Sequence, residues 1–352
     1  MRKSRLIVVL SALALAVSSF GLAHPATAAP ETSGTTSAPD TMRGGRIDPH
    51  PSTAELTREL QRLQWRSRGA VDVSEIGRSN QNRPVWSARV GNGPLRIMYV
   101  TQQHGNEPLG TPAALKFLET TGVGQSAWQR WLRSRVTVDI IVRANPDGSE
   151  LNWRYNYDPE ADPEYGEAGK GYDINRYHSP ILAPEDNPAT EAGLIQRHYA
   201  EFEPDIMVDY HMQGRYADAD GEEITASVMW PTRPDVRADM VRLAKQVSVV
   251  AQRAMDLAGA NVSQYPGGNY EGIARNAYGL RGSGSVLIEF SAMGPEHDRQ
   301  QIASAWVSMI GIAQSGASGS LQRVDPTWAE RIPPRGEPIR TQAASALASH
   351  GD

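Results

Sequence analysis

The sequence has 352 residues, 39% of them hydrophobic and 21% charged, with a formal net charge of −5. That is enough apolar material for a buried core, and the mild acidity argues against a protein that neutralises nucleic-acid phosphates with a basic face. There is no cysteine, so disulfides, thiolate metal sites and a cysteine nucleophile are excluded, and any metal must be held by His, Asp or Glu.

Arg2, Lys3 and Arg5 precede an uncharged, mostly apolar run from Leu6 to Leu22, and Ala26-Thr27-Ala28 follows as a small-x-small site. This pattern predicts a signal peptide over 1–28 and hence a secreted, extracellular protein without stable membrane insertion. The run is too short, and too interrupted by Ser and Gly, for a spanning helix. Residues 29–51 read as a flexible leader, too few for a domain of ordinary size. Order is expected from Ser52, where Ser52-Thr53-Ala54-Glu55 has the form of a capping box and Leu56, Leu60 and Leu63 recur at helical spacing.

Strands are expected at 71–76 and 85–90 around a turn at 80–84, and a buried strand at Leu95–Thr101. The last runs into Gln103-His104-Gly105-Asn106-Glu107-Pro108, with Pro108 in the first turn of the next helix. A further strand, Val136–Val142, ends at Asn145-Pro146-Asp147-Gly148, a turn by composition. Helices are expected at 189–200, 234–258 and 300–312, and strands at 205–210 and 285–290. The alternation predicts an α/β single domain over 52–318, with a mixed, largely parallel central sheet flanked by helices. Residues 319–352 read as a C-terminal tail.

His104, His211 and Glu289 each fall at or just beyond the carboxyl end of an expected strand, where open α/β sheets bind ligands. His104 and Glu107 are three apart and face one point if a helix starts at Pro108. An imidazole and a carboxylate suit zinc, and His211 is the candidate third ligand; a His₂Glu set leaves a coordination position open, as in catalytic sites. Arg154, Asn175 and Arg176 carry donors that match a carboxylate. For any one of them a solvated charge or an ordinary loop residue is the competing reading. His178 is expected to pack locally or face solvent rather than line the pocket, and His198 to be structural. The acidic run 218–223 lacks EF-hand spacing and reads as a solvated loop.

The ordered set HGNE (104–107), NPDG (145–148), DINR (173–176), YH (210–211) and IEF (288–290) resembles the zinc carboxypeptidase family that includes carboxypeptidase A, over 52–315. The resemblance implies a zinc metallopeptidase with one zinc ion on His104, Glu107 and His211. It implies Arg154 polarising the scissile carbonyl, Asn175 and Arg176 clamping the terminal carboxylate, and Glu289 as general base. The family's mobile tyrosine would be Tyr265, beside Gly267-Gly268, with Tyr270 as rival because the spacing departs from the family's. The implied substrate is a peptide or protein with a free C-terminal carboxylate. Two other readings stay open: an amidase or deacylase of the same superfamily, acting on murein peptides or N-acyl amino acids, and a catalytically silent binding module. No Gly-x-Ser-x-Gly elbow supports a serine hydrolase.

Overall fold

Ser52 caps helix α1 (Thr53–Ser67) through the expected reciprocal bonds with Glu55, and Leu56, Leu60 and Leu63 form its buried stripe. The structure, a computed structural model, describes residues 50–339. The expected signal peptide, nearly all of the leader and the last residues of the tail lie outside the described residues.

The chain continues through β1 (Val71–Arg78), β2 (Pro84–Val90), β3 (Leu95–Thr101), α2 (Gly110–Gly122), α3 (Ala127–Arg135), β4 (Val136–Val142) and α4 (Pro146–Leu151). A small hairpin, β5 (Gly166–Glu167) with β6 (Gly171–Tyr172), precedes α5 (Thr190–Phe202) and β7 (Ile206–Gln213). Then come β8 (Tyr216–Ala217), β9 (Glu223–Ile224), β10 (Ala226–Met229), α6 (Ala238–Leu257), β11 (Val262–Gln264), α7 (Ala274–Leu280), β12 (Gly284–Ser291) and α8 (Asp298–Ala317). Eight strands make one sheet in the order β1-β2-β4-β3-β7-β12-β10-β11. Its centre, β4-β3-β7-β12, is parallel, while β1, β2 and β10 join antiparallel. The α/β reading with a mixed, largely parallel sheet between helices therefore holds. The parallel centre has a functional consequence: β3, β4, β7 and β12 all end at one edge.

Alternation along β7 decides which face each residue meets. Tyr210 turns into an aromatic cluster, edge-on to Tyr99 at 5.7 Å and stacked on Phe290 at 6.2 Å, and Tyr99 also meets Phe117 of α2. Each such pair adds about 0.5–1.5 kcal/mol beyond burial. Met207, Asp209 and His211 take the opposite face, where Met98, Val100, Ile141 and Met207 pack with Ile195 and Phe202 of α5 and Tyr278 of α7. A one-residue slip of β7 would bury His211 among the aromatics, so the core fixes the register that the site needs.

Three local expectations change. Helix α2 begins at Gly110, not at Pro108. Glu107 N–H donates to the His104 carbonyl at 3.1 Å and Thr111 N–H to the Pro108 carbonyl at 3.1 Å, so two turns precede the helix. Asn145-Pro146-Asp147-Gly148 opens α4 instead of forming a free turn: Asn145 is the N-cap, accepting from Gly148 N–H, and Pro146 takes the first helical position. The stretch expected as tail is bound to the edge strand β11 and then beside β8, up to residue 339. Gln264 N–H donates to the Pro333 carbonyl, Arg335 N–H to that of Gln264, and Ala217 N–H to that of Glu337.

Candidate metal centre

Past β3 the backbone of Gln102 turns left-handed, with φ 57°. That conformation is costly for a side-chain-bearing residue and persists only where surroundings hold it. Here they do: Gln102 Nε2 donates to the Gly105 carbonyl at 2.8 Å, and Oε1 accepts from Thr111 Oγ1 at 2.8 Å and Arg143 Nε at 3.0 Å. Gly105 lies against α4 so closely that a Cβ would sit 1.9 Å from the Gly148 carbonyl carbon. Asn145 Nδ2 donates to the carbonyls of Gln103 and Tyr155. The HGNE and NPDG segments are thus one clasp, and it carries the chain on to Arg154.

Where β7 ends beside that clasp, the His104, Glu107 and His211 ligand atoms all lie within 4.8 Å of one another. His104 Nδ1 is 2.8 Å from Glu107 Oε1, His211 Nδ1 is 2.9 Å from Oε2, and the two Nδ1 atoms are 3.0 Å apart. The far sides of the rings set the tautomers. His104 Nε2 faces Asp173 Oδ1 at 3.0 Å and His211 Nε2 faces Asp209 Oδ2 at 2.7 Å. A carboxylate accepts, so each Nε2 carries a proton, and each ring in its neutral form presents an Nδ1 lone pair. Asn175 Nδ2 also lies 3.2 Å from His211 Nε2. Both groups bear N–H, so the carboxylate contact sets the tautomer.

Two imidazole lone pairs and a carboxylate therefore converge, a set of acceptors that only a cation or added protons reconcile. The nitrogen and oxygen donors fit zinc. With protons instead, the site is strongly polarised. Burial opposes charge on Glu107, but His104 and His211 outweigh it and hold the carboxyl well below its usual range. His211 is likewise pushed well above its ordinary value, because Asp209 and Glu107 overcome burial.

Around this centre stand the other residues singled out in the sequence. Glu289 pairs in register with His211 across β12 and β7. Its Oε2 is buried with no hydrogen-bond partner among the described residues. Burial first, then the charge of Glu107, raise its carboxyl to about 7 against the pull of His211, His104 and Arg154. Arg154 forks onto Asp173 Oδ2 through Nε at 3.0 Å and Nη2 at 2.9 Å, leaving Nη1 3.6 Å from Glu107. Asn175 accepts Ala274 N–H at 2.8 Å, and Arg176 Nη1 donates to the Asn175 carbonyl. The charge of Glu289, then burial, raises the Tyr265 hydroxyl to about 12. Tyr270 instead packs on Tyr165 at 4.7 Å, and its hydroxyl is raised by burial first and then by Tyr165, Glu164 and Tyr177.

Sequence reasoning passed over Asp173 and Asp209, which orient the two imidazoles. Asp209 was readable, since residues two apart on a strand share a face. Asp173 was visible only as the first letter of DINR. His178 packs locally, as expected: its Nε2 bonds Gln103 Oε1 at 2.6 Å, its Nδ1 accepts from the Tyr278 hydroxyl, and Gln103 Nε2 donates to Asp209.

A two-imidazole, one-carboxylate donor set at the carboxyl edge of parallel strands, with a further buried carboxylate beside it, is consistent with a catalytic metal site. The comparisons agree. Residues 56–230 match the profile of the zinc carboxypeptidase family. Carboxypeptidase A from Helicoverpa armigera superposes with TM-score 0.59 at 18% identity, over 77% of this chain and 74% of that one. A metallo-carboxypeptidase from Burkholderia cenocepacia gives 0.57 at 16% over 76% and 69%, and bovine thrombin-activatable fibrinolysis inhibitor 0.57 at 17% over 77% and 98%. None of the curated proteins compared by sequence matches. The chain belongs to the zinc carboxypeptidase family and is a zinc-dependent metallopeptidase, distant in sequence from these solved structures.

Proposed function

We propose that the protein is an exported carboxypeptidase that hydrolyses the last peptide bond of substrates with a free C-terminal carboxylate. The observation that carries this reading is the convergence of His104, Glu107 and His211, each imidazole backed by its own carboxylate. Export follows from the basic, apolar and small-x-small pattern of residues 1–28. No helix among the described residues is long and apolar enough to cross a membrane.

Held by His104, Glu107 and His211, one zinc ion would supply a Lewis acid that lowers the pKa of water to roughly 7 and polarises a carbonyl. Glu289 takes the proton of the attacking water at its free Oε2 and returns it to the leaving amine. Its raised proton affinity suits a group that must both accept and give. Arg154, held by Asp173, offers its remaining donor to the carbonyl oxygen as negative charge develops there; losing such a donor costs about 2.7–4 kcal/mol. Asn175, fixed through its Oδ1 by Ala274 N–H, and Arg176 take the terminal carboxylate. Tyr265 remains protonated at neutral pH and donates to the bound peptide.

The test is the rate on a blocked dipeptide with a free C-terminus against its C-terminal amide. The free acid should be cleaved faster by roughly a hundredfold or more, the cost of a partly buried clamp left without its anion. Equal rates would overturn the exopeptidase reading.

A further inference from the structure

Arg275 opens α7 and is 2% exposed. A buried guanidinium ordinarily sits on a carboxylate, because an unpaired buried charge is costly. Even the more exposed arginines of this protein sit on carboxylates: Arg154 meets Asp173 at 2.9 Å, Arg83 meets Asp147 at 2.7 Å and Arg89 meets Asp139 at 2.6 Å, while buried Arg143 bonds the Gln102 side-chain oxygen and the Pro51 carbonyl. Arg275 forms no ion pair among the described residues. One Nη2 donates to the Gly268 carbonyl at 2.8 Å, and its Nε is buried without a partner.

Its surroundings are those of the candidate catalytic site. Tyr265 and Glu289 attract its charge and Arg176 repels it, while burial lowers its proton affinity only to about 10, so it stays charged at neutral pH. Backbone contacts bring it beside the carboxylate clamp. Ala274 N–H donates to Asn175 Oδ1 at 2.8 Å, and a Cβ on Gly272 would lie 2.0 Å from the Arg176 carbonyl oxygen. Two guanidinium groups are thus close enough to repel each other, and only one of them is needed for a terminal carboxylate.

We infer that Arg275 selects the residue to be removed, receiving the side-chain carboxylate of a C-terminal glutamate or aspartate while Arg176 holds the main-chain one. The inference rests on the carboxypeptidase reading above. An apolar side chain in that position would leave the buried charge of Arg275 unpaired, and a basic one would add a like charge beside it.

Wild-type kcat/KM is measured on N-blocked dipeptides ending in Glu, Gln, Leu and Lys, with zinc bound. Glu should exceed Gln by roughly a hundredfold, since the two side chains differ little except in the charge that Arg275 reads. In Arg275→Met the Glu-to-Gln ratio should fall to near one, and Arg275→Lys should restore part of it. The wild-type panel needs no variant to fold. Glu and Gln cleaved equally by the wild type, or a Met variant that slows all four peptides by the same factor, would overturn the inference and leave the carboxypeptidase reading standing. Cleavage of none of the four would overturn both.

Discussion

Beneath α5, His198 Nε2 faces Asp139 Oδ1 at 3.1 Å; at the carboxyl edge of the sheet, His104 and His211 face Asp173 and Asp209. All of these groups are buried. The difference lies in how donors and acceptors balance. Asp139 also accepts from Ser87 Oγ and from Arg89 Nε at 2.8 Å, and Arg89 Nη2 lies 2.6 Å away, so one anion is surrounded by donors. At the edge the outer carboxylates take the ring N–H groups, and three acceptors are left aimed at one point. A histidine–carboxylate contact is by itself no sign of a metal; a surplus of converging lone pairs is.

The comparison breaks first on the histidines. His211→Ala should lose bound zinc, and with it the chemistry that zinc supplies, lowering kcat/KM by roughly a thousandfold or more. His198→Ala should keep zinc and turnover while losing about 1–3 kcal/mol in denaturant unfolding, the cost of stripping a partner from a buried carboxylate. Zinc lost from His198→Ala would erase the distinction. Next in size is Glu289→Gln, which should retain zinc and lose roughly 10²–10⁴ in kcat; full turnover would remove the general-base role. Asp173→Asn and Asp209→Asn should each weaken zinc about 10–100-fold by equilibrium dialysis, while Asp139→Asn leaves zinc affinity alone.

The smallest effect is a pH dependence. Burial raises the proton affinity of Asp139, but His198, Ser87 and Arg89 overcome it and hold the carboxyl below its ordinary 3.8. The folded state therefore binds this proton less readily than the unfolded chain. The stability Asp139 contributes is complete above about pH 4 and is lost as pH falls through its lowered value. Asp139→Asn should flatten that part of the acid limb, and an unchanged slope would mean the cluster contributes no such linkage.

Much of this was legible before any coordinates. The apolar runs Leu95–Thr101 and Val136–Val142 are strands over those same residues because both are buried in the sheet. The histidines and Glu107 stand out because HGNE and YH follow such runs. Less legible was whatever depends on three-dimensional partners. Asn145 reads as a turn former until its bond to Gly148 N–H makes it a helix cap. Helix α7 has seven residues, too few for a periodic pattern, so Arg275 drew no notice. The Asp139 cluster joins residues 59 apart in sequence and leaves no local trace.

Bound zinc per chain, measured together with turnover before chelation, after chelation and after zinc is returned, tests the metal centre most directly. One equivalent should be present in the wild type, activity should leave and return with it, and His211→Ala should hold none. Zinc bound by His211→Ala with wild-type affinity, or full turnover in metal-free wild type, would contradict the assignment of His104, Glu107 and His211.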